Sequence, residues 1–457
     1  MTPTPFSDFL RDHQVLKAKR TDRLSQIKEI ASSIKALEND LSLCTRCGMC
    51  QSVCPLYTET GREPDSARGK LALLDGLRFS LLSKPDGVMD LLQRCLLCGA
   101  CASHCPRKVN SISVFLRARM IIAGITGLNP FKKAILRAAC NNPRVFDMIL
   151  DTAGFFQKKL SADIAGTSDF SCIRDGFRSK QRISRNFAPK SFSEITGTVD
   201  YRRQGSKGRV AFYPGCLVNR MYPSIGTASL NAIIDCGYDV VIPDGLVCCG
   251  MPAAASGDMG SARIAAEKNA EILKKTDCDL IVTSCPTCGY AMKKLWSVFA
   301  EKSGHNDSFD YVSEKISDIS DFIIRYGEKK YTAPGPDSGS DDRKTVTVHD
   351  PCHLKRSLGI YKEPRIILEM AGYKVREMKN SDRCCGMGGT FSISHYDLSM
   401  SVAEEKKKAV MDSGADVLAA ACPACMMQIG GGLAADGSEI DVRHPVEIYA
   451  EKIPNVF

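Results

Sequence analysis

No run of about 20 apolar residues occurs in the 457-residue chain, so no membrane-spanning helix is expected. The first residues, MTPTPFSDFLRDHQ, lack the basic-then-apolar layout of a secretory leader and carry no twin arginine, which predicts a cytoplasmic protein. The segment PDSARGK lacks the glycine spacing of a phosphate loop. The run GMGG follows a cysteine pair instead of opening a βαβ unit, so it is no dinucleotide fingerprint. The chain therefore carries no flavin or nicotinamide signature of its own. Its basic residues come with no nucleic-acid module and no aromatic stacking pattern, which excludes nucleic acid as a partner. What remains is an ordinary globular composition, 44% hydrophobic and 25% charged, in a chain long enough for several domains.

Against these absences stand 22 cysteines, eighteen of them in two repeating patterns. Cys44, Cys47, Cys50 and Cys54, followed by Pro55, spell C-x2-C-x2-C-x3-C-P. Cys95, Cys98, Cys101 and Cys105, followed by Pro106, repeat it. Two-residue gaps let successive thiolates converge on three corners of a cubane, and the fourth ligand of such a ladder usually serves the other cluster. Hence Cys44, Cys47, Cys50 and Cys105 are expected to hold one 4Fe–4S cluster, and Cys95, Cys98, Cys101 and Cys54 the second. Each proline turns the chain away and removes a backbone donor beside the ligand. Zinc sites use paired C-x2-C units and do not need this layout. A reducing compartment also argues against disulfides.

The second pattern lies in the C-terminal half. Cys216, Cys248-Cys249-Gly250 and Cys285-x2-Cys288 recur as Cys352, Cys384-Cys385-Gly386 and Cys422-x2-Cys425, at an offset of 136 residues for the first three and 137 for the last two. Each repeat opens with a β-rich run (RVAFYPGC; TVTVHDPCH) and continues through a helix and a Gly-Tyr turn. A second strand (DLIVTS; DVLAAA) leads into C-P-x-C. Strands alternating with helices imply parallel α/β layers. Cysteines at strand ends and helix starts should meet at one crevice, where helix N-termini favour thiolates. Taken alone, a C-x2-C pair also serves as a redox disulfide or as half a zinc site. Recurrence of all five cysteines favours a polynuclear cluster. His349 and His353 flank Cys352 and are the candidate catalytic residues, as proton donors to a substrate sulfur. Cys140, Cys172, Cys236 and Cys278 fall outside the patterns and read as ordinary buried thiols.

These features divide the chain into a helical N-terminal extension (1–41), a two-cluster ferredoxin domain (42–125), a helical then basic linker or insert (126–209), and repeats at 210–330 and 345–457. The gap between the ladders contains the helical run LALLDGLRFSLL, so the expected fold class is multidomain, an all-helical dicluster ferredoxin module followed by two repeated α/β domains with parallel sheets. Residues 155–209 hold twelve Lys/Arg against five Asp/Glu and read as a solvated linker or a contact for an anionic surface. The stretch APGPDSGSDDRK reads as the linker between repeats.

The ladders, followed by FYPGC, LVCCGMP, SCPTCGY, HDPCHLKRSLG, RCCGMGG and ACPACMMQ, resemble the CCG-domain iron–sulfur oxidoreductases over nearly the whole chain. That family includes iron–sulfur subunits of membrane-bound heterodisulfide reductase, of anaerobic glycerol-3-phosphate dehydrogenase and of glycolate oxidase. The resemblance implies two further, noncubane 4Fe–4S clusters. One would be bound by Cys216, Cys248, Cys249, Cys285 and Cys288, the other by Cys352, Cys384, Cys385, Cys422 and Cys425. It implies one of two roles. A protein like the heterodisulfide reductases would exchange electrons with a membrane cytochrome b or quinone-reactive partner and act on thiols and disulfides. An electron wire would serve a flavoprotein dehydrogenase of lactate, glycolate or glycerol 3-phosphate. Either would sit on the inner face of the cytoplasmic membrane.

Overall fold

The computed structural model describes residues 25–82, 84–142, 145, 161–164, 167–175, 180–299, 306–327 and 343–457. The start of the N-terminal extension, part of the basic insert and most of the linker between repeats lie outside them. Twelve strands fall within them: β1 (Ser161–Ile164), β2 (Thr167–Asp175), β3 (Lys180–Arg185), β4 (Asp200–Tyr201), β5 (Arg209–Phe212), β6 (Asp239–Val241), β7 (Leu280–Thr283), β8 (Ile316–Asp318), β9 (Thr345–His349), β10 (Lys374–Val375), β11 (Val417–Ala420) and β12 (Asp441–Arg443).

Residues 25–142 are helical, with no strand among the described residues. Helices start where the sequence supplies caps. Ser66 accepts from Gly69 N to open Ala67–Arg78, and Asn110 accepts from Ser113 N to open Ser111–Thr126; each such cap contributes about 1 kcal/mol. Ile30, Ile34 and Leu37 of the extension pack with Leu41, Leu71 and Leu74 in one apolar interior.

The two repeats share one topology. In the first, β6-β5-β7-β8 run parallel, with β4 added antiparallel on the β6 edge; in the second, β10-β9-β11-β12 are all parallel. β5 and β7 are buried over most of their length and β11 throughout, as strands covered on both faces must be. Fold class thus follows the expectation from sequence. The insert does not: β1-β2-β3 form an antiparallel sheet where a loop-rich linker was expected. It packs on the Pro423–Ala435 helix of the second repeat. There Phe170 sits so close that a Cβ at Gly430 would lie 2.9 Å from its ring. Arg185 stacks over Tyr222, with its guanidinium carbon 3.9 Å from the ring centroid.

The ferredoxin module docks on both repeats. Buried Arg119 donates to the carbonyls of Leu92, Cys95 and Ala255, joining two ferredoxin helices to the first repeat. On the second repeat, Leu56, Leu96 and Ala100 pack with Phe391 and Val402. Arg356 reaches the Cys98 carbonyl, and Arg383 pairs with Glu59.

His444, fully buried, caps the last helix (Pro445–Ala450) and accepts from Val446 N. Burial pushes its imidazole down to about 3, against the opposing pull of the Ser284 and Ala421 carbonyls. The unfolded chain takes up this proton near about pH 6.5, the folded one only near 3. Between those values the unfolded state binds more protons, so stability falls as pH drops. From about pH 7 to about pH 5 this group alone should remove about 2 kcal/mol. Urea titrations of the wild type and H444N at both pH values check it: the variant, whose asparagine still caps, should lose less.

Candidate metal centres

In the first ladder Arg46 and Gly48 have φ of 58° and 88°; in the second, Leu97 and Gly99 have 54° and 71°. Left-handed residues on either side of the second cysteine curl the chain inward. Two of the four are not glycine, and nothing in the sequence marked them. The curls create two pockets. One is lined by Cys95, Cys98 and Cys101 together with Cys54, and the other by Cys44, Cys47 and Cys50 together with Cys105. Cys101 also borders the second pocket, so the two adjoin. Buried Lys70 lines the first, with Nζ donating to the carbonyls of Pro64 and Asp65 at 2.8 and 2.7 Å. Burial lowers its pKa, while Cys95 pulls it back up.

In each repeat the five patterned cysteines meet where strands end and helices begin. Cys285 and Cys422 are the N-caps that follow β7 and β11. The thiols form a chain of contacts, Cys216–Cys248–Cys249–Cys288–Cys285 in the first repeat and Cys352–Cys384–Cys385–Cys425–Cys422 in the second. Cys385 and Cys425 are 3.3 Å apart. The second cysteine of each pair is the readily ionised one. Hydrogen bonds from Cys248 and then Cys288 hold Cys249 well below the ordinary thiol range; those from Cys384 and then Cys425 do the same for Cys385. Gly250 and Gly386 turn the chain at φ of 84° and 90°, and a Cβ there would strike the Ala262 and Ser399 carbonyls. Only glycine fits.

The N-terminal half adds one sulfur to each crevice. Cys98 of the second ladder touches Cys384, which brings that ladder against the second crevice. Cys140 touches Cys248, so it belongs with the first crevice and is not a thiol apart. Cys236 and Cys278 are buried elsewhere, and the Cys172 side chain lies outside the described residues.

Both expected histidines are buried. His353 lies at the seam of the three modules. Its Nδ1 is 3.0 Å from Thr287 Oγ1, its Nε2 3.4 Å from the Leu97 carbonyl, and its ring rests on Tyr290. His349 ends β9 beside Cys385 and Cys425. Burial lowers the pKa of both. Sequence reading missed Lys406, whose Nζ donates to the Asn380 and Ser381 carbonyls beside the second crevice, and Asn269, which holds the Val247–Cys248 backbone of the first. They occupy matching positions, a correspondence the repeat offset already contains.

The donors fit iron–sulfur clusters. They are soft thiols in groups of four and five, half of them buried, set against helix starts and buried cations that offset anionic charge. All described cysteines are free. Such a fold and site define an iron–sulfur protein with a two-cluster helical module and two cysteine-rich α/β repeats. The cysteine-rich CCG domain matches residues 210–293 and 346–430, and the 4Fe-4S dicluster domain matches residues 40–109. The chain belongs to the CCG-domain iron–sulfur protein family.

It is similar to the "Probable glycolate oxidase iron-sulfur subunit" of Bacillus subtilis (strain 168), 26% identical over 92% of this chain and 95% of that protein. It is also 26% identical to a subunit of the CoM/CoB fumarate reductase of Methanothermobacter marburgensis, over 89% of this chain and 71% of that one. "Lactate utilization protein A" of Bacillus cytotoxicus is 32% identical over 52% of this chain and 98% of its own length. Among the described residues no helix is long and apolar enough to cross a membrane.

Proposed function

We propose that the chain is the iron–sulfur subunit of an oxidoreductase complex, in which the two ladders hold cubane 4Fe–4S clusters and the two crevices hold noncubane ones where thiol and disulfide chemistry occurs. The observation that carries this reading is the completeness of both five-cysteine sets, each in one connected group of sulfurs. The ladder ligands are those the spacing suggests, Cys44, Cys47, Cys50 and Cys105, then Cys95, Cys98, Cys101 and Cys54; those of the crevices are the five of each repeat that the family resemblance implies. When bound, the clusters supply one-electron carriers and sites for substrate sulfur. The likeness to a CoM/CoB fumarate reductase points to the same substrate class.

The chain's own residues do the rest. Contact of Cys98 with Cys384 joins the second ladder to the second crevice and sets the direction in which the modules connect. Cys216 and Cys352 are the partly exposed members of their sets, so a substrate sulfur reaches the crevices from their side. Reducing a disulfide takes two electrons and two protons and releases two thiols. Thr287 is partly open to solvent and bonded to His353, and so forms a proton route to the seam. Proton handling falls to His353, whose Nδ1 can accept from the Thr287 hydroxyl. His349 holds its Nδ1 proton on the Ser381 carbonyl.

A second reading rests on the near full-length likeness to the glycolate oxidase protein. In it the chain carries electrons for a flavoprotein that oxidises a 2-hydroxy acid such as glycolate or lactate, or glycerol 3-phosphate, and delivers them to quinone. In the first reading the electron partner is a membrane cytochrome b or quinone-reactive subunit. One assay separates them. Anaerobically purified chain with reduced viologen and a low-molecular-weight disulfide should consume two electrons per disulfide without another protein. Turnover seen only after a flavoprotein and its hydroxy acid are added would establish the second reading instead.

A further inference from the structure

The two repeats correspond residue for residue at their cysteines but differ at the residue three before the first one. There the first repeat has Tyr213 and the second has His349. Tyr213 turns its hydroxyl away, donating to the Val247 carbonyl. His349 does the reverse.

His349 is only 1% exposed. Its Nδ1 lies 3.1 Å from the Ser381 carbonyl oxygen. A carbonyl only accepts, so Nδ1 carries the proton and Nε2 presents a bare lone pair. A ring nitrogen of His349 and the sulfurs of Cys385 and Cys425 all lie within 4.8 Å of one another, and with Nδ1 taken by the Ser381 carbonyl, Nε2, which has no hydrogen-bond partner, is the nitrogen left to ligate.

The tautomer is firmly held. The Ser381 carbonyl also accepts from Lys406 Nζ and Asp350 N, each at 3.0 Å, and Ser381 Oγ donates to Asp350 at 2.9 Å. Arg365 anchors that carboxylate in turn, at 2.7 Å. An imidazole with one nitrogen pinned to a carbonyl and the other facing metal-binding sulfurs is the arrangement of a ligating histidine.

We infer that the second crevice is a mixed nitrogen–sulfur site, with His349 Nε2 joining Cys385 and Cys425 as a metal ligand, whereas the first crevice binds through sulfur alone. The inference rests on the reading that the second crevice holds an iron–sulfur cluster. It makes the two crevices chemically distinct. Imidazole ligation raises the potential of other iron–sulfur centres, so the second site is the higher-potential one of the two. Electrons arriving across the Cys98–Cys384 contact would then collect there.

The test uses the full chain, purified anaerobically after growth on 57Fe and 15N-histidine, beside H349Y (the first repeat's residue) and H349Q. Mössbauer spectra register every iron, and pulsed EPR resolves coupled nitrogen. The wild type should show an iron environment with imidazole nitrogen coupling that changes with the histidine isotope. Both should vanish in H349Y and H349Q while the ladder signals persist. A wild type without histidine nitrogen coupling, or an H349Y Mössbauer spectrum superimposable on the wild type, overturns the inference. If a variant lacking both Cys385 and Cys425 binds as much iron as the wild type, the second crevice holds no cluster. The underlying reading then fails, and the inference with it.

Discussion

Serine in place of Cys385 should strip the second crevice of its cluster and cut disulfide turnover at least about 100-fold, a floor taken from the effect of disturbing even the outer partners of metal ligands. Cys385 is the hub of its set. It receives hydrogen bonds from Cys384 and Cys425, and these hold its thiol well below the usual range. A serine hydroxyl in the same buried position does not ionise near neutral pH and is too hard a donor for iron held by thiolates. The pocket around Cys95 and Cys54 does not include Cys385, so the ladder clusters should survive. Iron and sulfide analysis with visible spectra would show partial loss, and reduced-viologen turnover would show the functional loss. Full iron content and an unchanged rate in C385S would remove this crevice from the chemistry.

Replacing Arg119 with methionine should destabilise the protein by roughly 3–5 kcal/mol, because three buried carbonyls lose charged donors at once. The side chain is buried, and its head joins the end of one ferredoxin helix, the first cysteine of the second ladder and the first repeat. Burial lowers its pKa to about 10 while Cys95 opposes the shift, so it stays charged at neutral pH. Methionine fills much of the space but donates nothing. Urea unfolding followed by circular dichroism should show a lowered midpoint, with the helical module melting before the α/β repeats. A midpoint within about 0.5 kcal/mol of wild type, the range of an inert surface change, would show that the module docks through other contacts.

Much of this was written in the cysteines. A ladder restricts its metal because two-residue gaps bring sulfurs together whatever surrounds them. The doubled CCG pattern likewise discloses a repeat, because the same strand ends and helix starts must recur. Gly250 and Gly386 were legible for the same reason, since a chain that turns directly after two adjacent ligands leaves no room for a side chain. Other features were hidden because they depend on partners distant in sequence. Arg119 looks like an ordinary helix-surface charge until the Ala255 carbonyl, 136 residues away, closes over it. Cys140 belongs to no spacing rule, yet it reaches Cys248 across a packed helix pair. Arg46 and Leu97 adopt left-handed backbone that their residue types disfavour, which only the wrapping of each ladder explains. The β1–β3 sheet escaped notice because its strands are mostly polar, with no sustained apolar alternation to mark them. The contrast between Tyr213 and His349 was visible in the repeat register, but its meaning came only with the Ser381 carbonyl.

The central claim is that the crevices, and not a separate subunit, meet the substrate sulfur. It is tested most directly by adding a thiol and then its disulfide to the anaerobically purified chain, poised at successive potentials, while EPR and Mössbauer spectra are recorded. A crevice signal that appears or shifts only when sulfur ligand is present, with the ladder signals unmoved, is the predicted result. Spectra that no thiol or disulfide alters at any potential would contradict the claim and leave the chain an electron carrier alone.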